Sequence, residues 1–195
     1  TLSAERLHAV LTMRVLRGAV DLFRFGLPAG LEVTEVSAPE VARWGVLEAA
    51  DGGPSMLDVQ LHEPTTDTIS FAVTASAARP MLGSWTMPRI EPLGVTSHTA
   101  VLGLLLDERL KAESFEAEKL ISIDTAVFEQ ILPKSVAQPE PGGSVPRAVA
   151  AWLAADSTAT ARSEFTRPAS GVDATTATLL TLQDAELRLR STISL

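Results

Sequence analysis

The sequence predicts an all-β protein built of antiparallel β-sandwich modules, two packed in tandem, with one short helix. Three observations lead there. Short runs alternate apolar and polar residues with period two. Gly, Pro and Asp clusters punctuate those runs at close intervals. Strands do not alternate with helices in the way a parallel sheet requires.

The stretch from Gly18 to Pro39 organises the rest. Val20, Leu22 (or Phe23) and Phe25 read as one strand, Leu27-Pro28-Ala29-Gly30 as a turn, and Leu31, Val33 and Val36 as the return strand of a hairpin. Before it, Ala4 to Leu16 fits a helix or a long strand, and the alternation of Leu7, Ala9, Leu11, Met13 and Val15 selects strand. After it, Pro39 to Val46 reads as a turn and short strand with Trp44 on the core. Turns at 50–54 and 63–67 bound strands at Met56–Leu61 and Ile69–Ala75, the latter with Ile69, Phe71 and Val73 inward. Arg79 to Pro92 carries three prolines, which lack the ladder donor, so it reads as an edge or bridging segment.

Val95 to Leu106 reads as a buried strand. Asp107 to Leu120 has helical composition but stands in a strand context, and the two readings balance. Ile123 to Leu132 predicts the helix: Asp124 caps it, Val127, Phe128, Ile131 and Leu132 form one stripe, and Pro133 stops it. Residues 133–147 predict an exposed Pro/Gly loop. Ala148 to Ala155 has the composition of a short helix, and Ser157 to Phe165 reads as a strand. Val172–Leu182 and Glu186–Leu195 predict a hairpin about Gln183-Asp184-Ala185, its second strand apolar on one face and basic on the other. The expected modules are 1–92 and 93–195, with the boundary near 90–97.

Composition narrows the function. The 195 residues carry 16 Lys and Arg against 24 Asp and Glu, a net charge of −8, so nucleic acid and anionic lipid are not expected partners. No cysteine is present, which removes disulfides, thiolate metal sites and Cys nucleophiles. No apolar run is long enough for membrane insertion within this segment. The chain opens on Thr1 without a visible signal peptide, and Ser191 to Leu195 reads as a strand in mid-course, so a piece of a longer protein is expected.

Motifs for chemistry are weak. His8, His62 and His98 are far apart and lack metal-ligand spacing. Gly83-Ser84-Trp85 and Gly143-Ser144-Val145 lack the second glycine of a nucleophile elbow. The carboxylates of Asp107, Glu108, Glu113, Glu116 and Glu118 are interleaved with Lys111 and Lys119, as on a solvated face. Hence no residue is assigned a catalytic, cofactor or metal role, and no cofactor is expected. The ligand surface with the best residue types is Trp85, Trp44 and His62, since exposed aromatics stack on sugars. Tyrosine is absent and aromatics make up only 5%, which favours packing roles for the tryptophans.

The two ends resemble each other. Arg6-Leu-His-Ala-Val-Leu-Thr-Met13 and Arg188-Leu-Arg-Ser-Thr-Ile-Ser-Leu195 align without a gap, with Ala-Glu upstream of each. The match predicts that the chain is about one period of a repeat array, the second copy opening the next module.

Arg17-Gly18-x-Val20-x-x-Phe23-x-Phe25-x-Leu27-Pro28-x-Gly30-Leu31-x-Val33, then Ala38-Pro39-x-Val41-x-x-Trp44, then Leu57-x-Val59-x-Leu61 before Glu63-Pro64, resembles repeated β-sandwich segments of very large, extracytoplasmic, often membrane-anchored bacterial proteins. The resemblance covers most of the chain, Ile90 to Val95 and Leu187 to Arg190 included. It implies a scaffold or interaction role outside the cytoplasm and brings no catalytic residues. The expected function is therefore a non-catalytic structural or protein-interaction module whose partners are other modules of the same chain or another protein. The alternatives are a carbohydrate-binding module, with glycan as partner, and an accessory domain of a hydrolase encoded elsewhere in the gene.

Overall fold

A computed structural model describes residues 3–48, 54–80, 82–133, 136, 145–168, 175–183 and 186–194. Over the described residues the chain is all-β with one short helix. In order it forms β1 (Ser3–Arg14), β2 (Val20–Leu27), β3 (Glu32–Ser37), β4 (Val41–Leu47), β5 (Ser55–Thr65), β6 (Thr68–Arg79), β7 (Gly83–Thr86), β8 (Glu91–Pro92), β9 (Ala100–Leu106), β10 (Lys111–Glu118), β11 (Leu120–Ser122), α1 (Thr125–Ile131), β12 (Arg147–Ala154), β13 (Thr160–Thr166), β14 (Thr175–Gln183) and β15 (Glu186–Ser194).

The first sandwich packs a sheet ordered β1-β6-β3 on one ordered β4-β5-β2-β8. Alternation dictates its core. Phe23, Phe25 and Leu27 of β2, Leu57, Val59 and Leu61 of β5, and Ile69, Phe71 and Val73 of β6 all point between the sheets and are buried. Phe71 joins the layers, edge-on to Phe23 at 5.3 Å and to Phe25 at 6.1 Å between ring centroids. Such edge-to-face pairs add about 0.5–1.5 kcal/mol each beyond area burial.

The predicted central hairpin is an arch instead. β2 and β3 do not pair; they lie in opposite sheets. The turn itself forms, with Leu31 N–H donating to Pro28 O and Gly30 at φ 76°. A non-glycine residue meets steric cost in that left-handed region. Both flanking strands send their apolar faces into one core, which an arch between sheets satisfies as well as a hairpin within one.

The second sandwich packs β10-β13-β7 on β11-β12-β9. Phe115 of β10 meets Trp152 of β12 edge-on at 5.4 Å, and Trp85, Leu106 and Phe165 form a buried cluster. The balanced stretch 107–120 resolves as strand over Lys111–Glu118, because β13 supplies its ladder partner. The short helix expected at 148–155 is strand β12, held between β11 and β9. Tertiary pairing overrides the helix propensity of its alanines.

The expected helix forms with Asp124 as cap, its carboxylate accepting from Ala126 N–H at 2.8 Å. Its stripe is narrower than predicted. Only Phe128 is buried, while Val127 and Ile131 are exposed. Phe128 packs against Gly103 of β9; a Cβ at Gly103 would collide with Cε1 and Cζ of its ring. A glycine facing Ala151 in the register leaves the hollow that the ring fills. The hairpin β14–β15 forms; its turn at 184–185 lies outside the described residues, and so does most of the expected loop 133–147.

Gly103→Ala should destabilise the protein by about 1–3 kcal/mol through overpacking against Phe128. The same change in a Phe128→Ala background should cost far less, because the ring it collides with is gone. Urea denaturation of the four members of the cycle measures this; additive losses would exclude the ring as the cause.

Candidate functional site

The chain crosses three times between the sandwiches from β6 to β9. β7 adds to β13 in the second sandwich, with Trp85 opposite Ser163. β8 then returns to pair with β2 in the first, Phe25 opposite Pro92. The expected division between 92 and 93 is thus bridged by strand pairing: residues 83–86 belong to the second sandwich and 91–92 to the first. Prolines punctuate this segment because it lies along sheet edges, where a missing N–H costs little.

Three consecutive anchors hold the crossing. Trp85 is buried in the second core, 5.4 Å from Phe165, and its indole N–H donates to the Glu5 carboxylate of β1 at 2.6 Å. Arg89 donates through Nη1 to Ala159 O at 2.6 Å and Ser157 O at 3.2 Å, and through Nη2 to Asp156 O at 3.2 Å. Its guanidinium closes the turn between β12 and β13, a task that uses the planar fork. The next residue, Ile90, is buried in the first core. Adjacent residues therefore grip opposite sandwiches.

Burial pushes the His98 imidazole below its ordinary pKa of 6.5; Arg89 pushes it the same way and Glu91 opposes. His98 Nδ1 is buried without a hydrogen-bond partner. His8 is also lowered, by burial and then by Arg6, with Glu35 opposing. It faces Thr74, Nδ1 to Oγ1 3.3 Å.

The three residues proposed as a ligand surface are not brought together. Trp85 is 9% exposed, so it cannot stack on a ligand. Trp44 pairs with Val59 and so faces the core side, yet it is 38% exposed. The reason is position: β4 is the last strand of its sheet, and the core ends there. His62 is exposed on the opposite face of β5 from buried Leu61, its backbone N–H donating to Glu40 O.

Trp44 stands at the rim of the open mouth between the edge strands β3 and β4. A depression of about 490 Å³ there is lined by Val36, Ala38, Val41, Arg43 and Trp44 among others. A second, of about 410 Å³, opens the other sandwich between Leu106, Phe115, Lys111, Arg147 and their neighbours. A third surface is flat. Ile121, Leu153 and Val101 stand opposite one another across β11, β12 and β9, at 62%, 36% and 45% exposure. This apolar row adjoins the Gly103–Ala151 row that Phe128 covers.

The acidic stretch is locally paired. Arg109 forks onto Asp107, both contacts 2.8 Å, and Thr166 donates to Glu113 at 2.7 Å. That bond, followed by Lys111, holds the Glu113 carboxyl below its usual range. Among the described residues no group of three or more His, Asp and Glu is placed to hold a metal ion. Compared with known protein families, characterised proteins and solved structures, the chain matches none.

Arg89 and Glu5 carry the joint, and sequence reasoning missed both. Neither stands in a motif; the one available signal was the Pro88-Arg89-Ile90 sequence, a basic residue inside an otherwise apolar crossing.

Two outcomes follow. Arg89→Lys, which keeps the charge and loses the fork, should cost about 1–3 kcal/mol of stability, read as a lowered denaturant midpoint. An unchanged midpoint would show that the three carbonyls need no guanidinium. The lowered His98 pKa means that the unfolded chain binds its proton more readily. Its stabilising effect is therefore present above pH 6.5 and lost as pH falls through the lower folded-state value. His98→Gln should flatten the decline of Tm on acidification in that window, and an unaltered Tm–pH profile would contradict the assignment.

Proposed function

We propose that this chain is a structural or protein-interaction segment of a larger extracytoplasmic protein, acting by packing against other modules. One observation carries the reading. Among the described residues, β14 and β15 pair only with each other, as a separate two-stranded sheet. Two strands alone are marginal in water and need a third strand or a packed layer. Leu182 opposite Leu187 and Leu180 opposite Leu189 give that sheet apolar pairs to bury. The exposed row Ile121–Leu153–Val101 supports the same reading, since contiguous apolar surface marks interaction sites.

The match between Arg6–Met13 and Arg188–Leu195 adds the partner class. Residues 6–13 lie in β1 and residues 188–194 in β15, which supports reading β15 as the first strand of a following sandwich. Scaffold arrays of stacked modules bury such elements between neighbours. The extracytoplasmic setting rests on the resemblance of the Gly18–Pro64 pattern to surface-protein segments.

A second reading is favoured by Trp44. An exposed indole beside Arg43 at the rim of an open depression suits stacking on a sugar ring.

The parent gene decides the first reading. A signal peptide upstream and further Arg-Gly-x-Val-x-x-Phe segments downstream are expected; a short gene with neither would overturn it. Glycan-array binding abolished by Trp44→Ala would replace it with the second.

A further inference from the structure

We propose that the free edge of β1 is a strand-acceptor site, filled by an extended segment of the preceding module that stands to β1 as β14 stands to β15. The inference rests on the repeat reading for its donor and on the geometry of β1 for its acceptor.

The edges of the first sandwich differ in kind. β3 is broken by a bulge at Thr34, whose hydroxyl donates to Thr74 O. β4 is broken by a bulge at Ala42. β8 has two residues and ends in Pro92. Bulges, short strands and proline are the devices that stop an edge from recruiting another strand. β1 has none of them. It pairs with β6 from Ser3 to Arg14 without a register shift, contains no Pro or Gly, and has no strand on its other side among the described residues. Over residues 7–14 such an uninterrupted outer edge is a template for β-augmentation.

The core is also cut open along this edge. Leu7, Ala9, Leu11 and Met13 are only half-buried. Their register partners on β6, Ala75, Val73, Phe71 and Ile69, are buried. One more strand beyond β1 would cover the exposed flank of that row.

The hairpin indicates what such a strand looks like. Under the gapless match, Leu7, Ala9 and Leu11 correspond to Leu189, Ser191 and Ile193. Those stand opposite Leu180, Thr178 and Thr176 of β14. The occupant of the β1 edge is therefore antiparallel, rich in Thr and Leu, and places a leucine opposite Leu7.

The test replaces residues 1–4 of the chain with residues 175–186, placed directly before Glu5, which keeps Glu5 for Trp85. Amide hydrogen exchange is then read along β1. The alternate amides of residues 7–14 that do not bond to β6 should exchange fast in the parent and slow by about tenfold or more in the extended chain. Leu180→Pro in the added segment should restore fast exchange. Unchanged exchange at these amides, with protection elsewhere kept, would overturn the proposal. If the extended chain does not fold, a synthetic peptide of residues 175–183 titrated into the unmodified chain replaces it. NMR shifts confined to β1 support the site, and their absence or their appearance on β4 or β9 overturns it. The flanking gene sequence tests the repeat independently, so failure of the acceptor and failure of the repeat are distinguishable.

Discussion

The structure depends on one constraint, the triple crossing of the chain between β6 and β9. A tandem of sandwiches joined by a simple linker would leave each core self-contained. Here β7 finishes a sheet of the second sandwich and β8 finishes a sheet of the first, with Arg89 and Ile90 gripping opposite sides. The Trp85 indole closes the arrangement by reaching Glu5 of β1 in the first sandwich. Each half therefore borrows a strand from the stretch that connects them. Interfaces between domains in one chain are ordinarily small and polar, and motion is the default. Strand exchange of this kind opposes that motion, because rotation of one sandwich would pull a paired strand from the other.

The remaining surface is best understood through its edges. Bulged β3 and β4 border a mouth where the core reaches Trp44 and stops, so the concavity there is a consequence of sandwich geometry as much as of any ligand. The helix is similar: it is short, and a single ring over Gly103 fixes it to the outer face of β12 and β9. Beside it the apolar row from Ile121 to Val101 stays uncovered. Among the described residues, the features without a covering layer are thus a strand edge, an apolar row and a hairpin that pairs only with itself.

Much of the fold was legible because alternation reports burial directly. Ile69, Phe71 and Val73 are inward for the reason the pattern gives, and Asp124 caps the helix because its carboxylate reaches a free N–H. What alternation does not carry is which strand pairs with which. Two strands with one buried face each satisfy the pattern whether they form a hairpin or an arch, and β2 and β3 form the arch. The same limit explains Trp44: its face was readable, but its place on an edge strand was not. Trp85 stands in a Pro-rich stretch that looks external, and only the pairing of β7 with β13 buries it. The alanines of β12 have helical propensity in isolation and become strand through neighbours distant in sequence.

The most direct test of the interlocked joint is scanning calorimetry of the intact chain. A joint in which each sandwich holds a strand of the connecting segment predicts one cooperative transition, with calorimetric and van't Hoff enthalpies equal. Two resolved transitions, one for each sandwich, would contradict it.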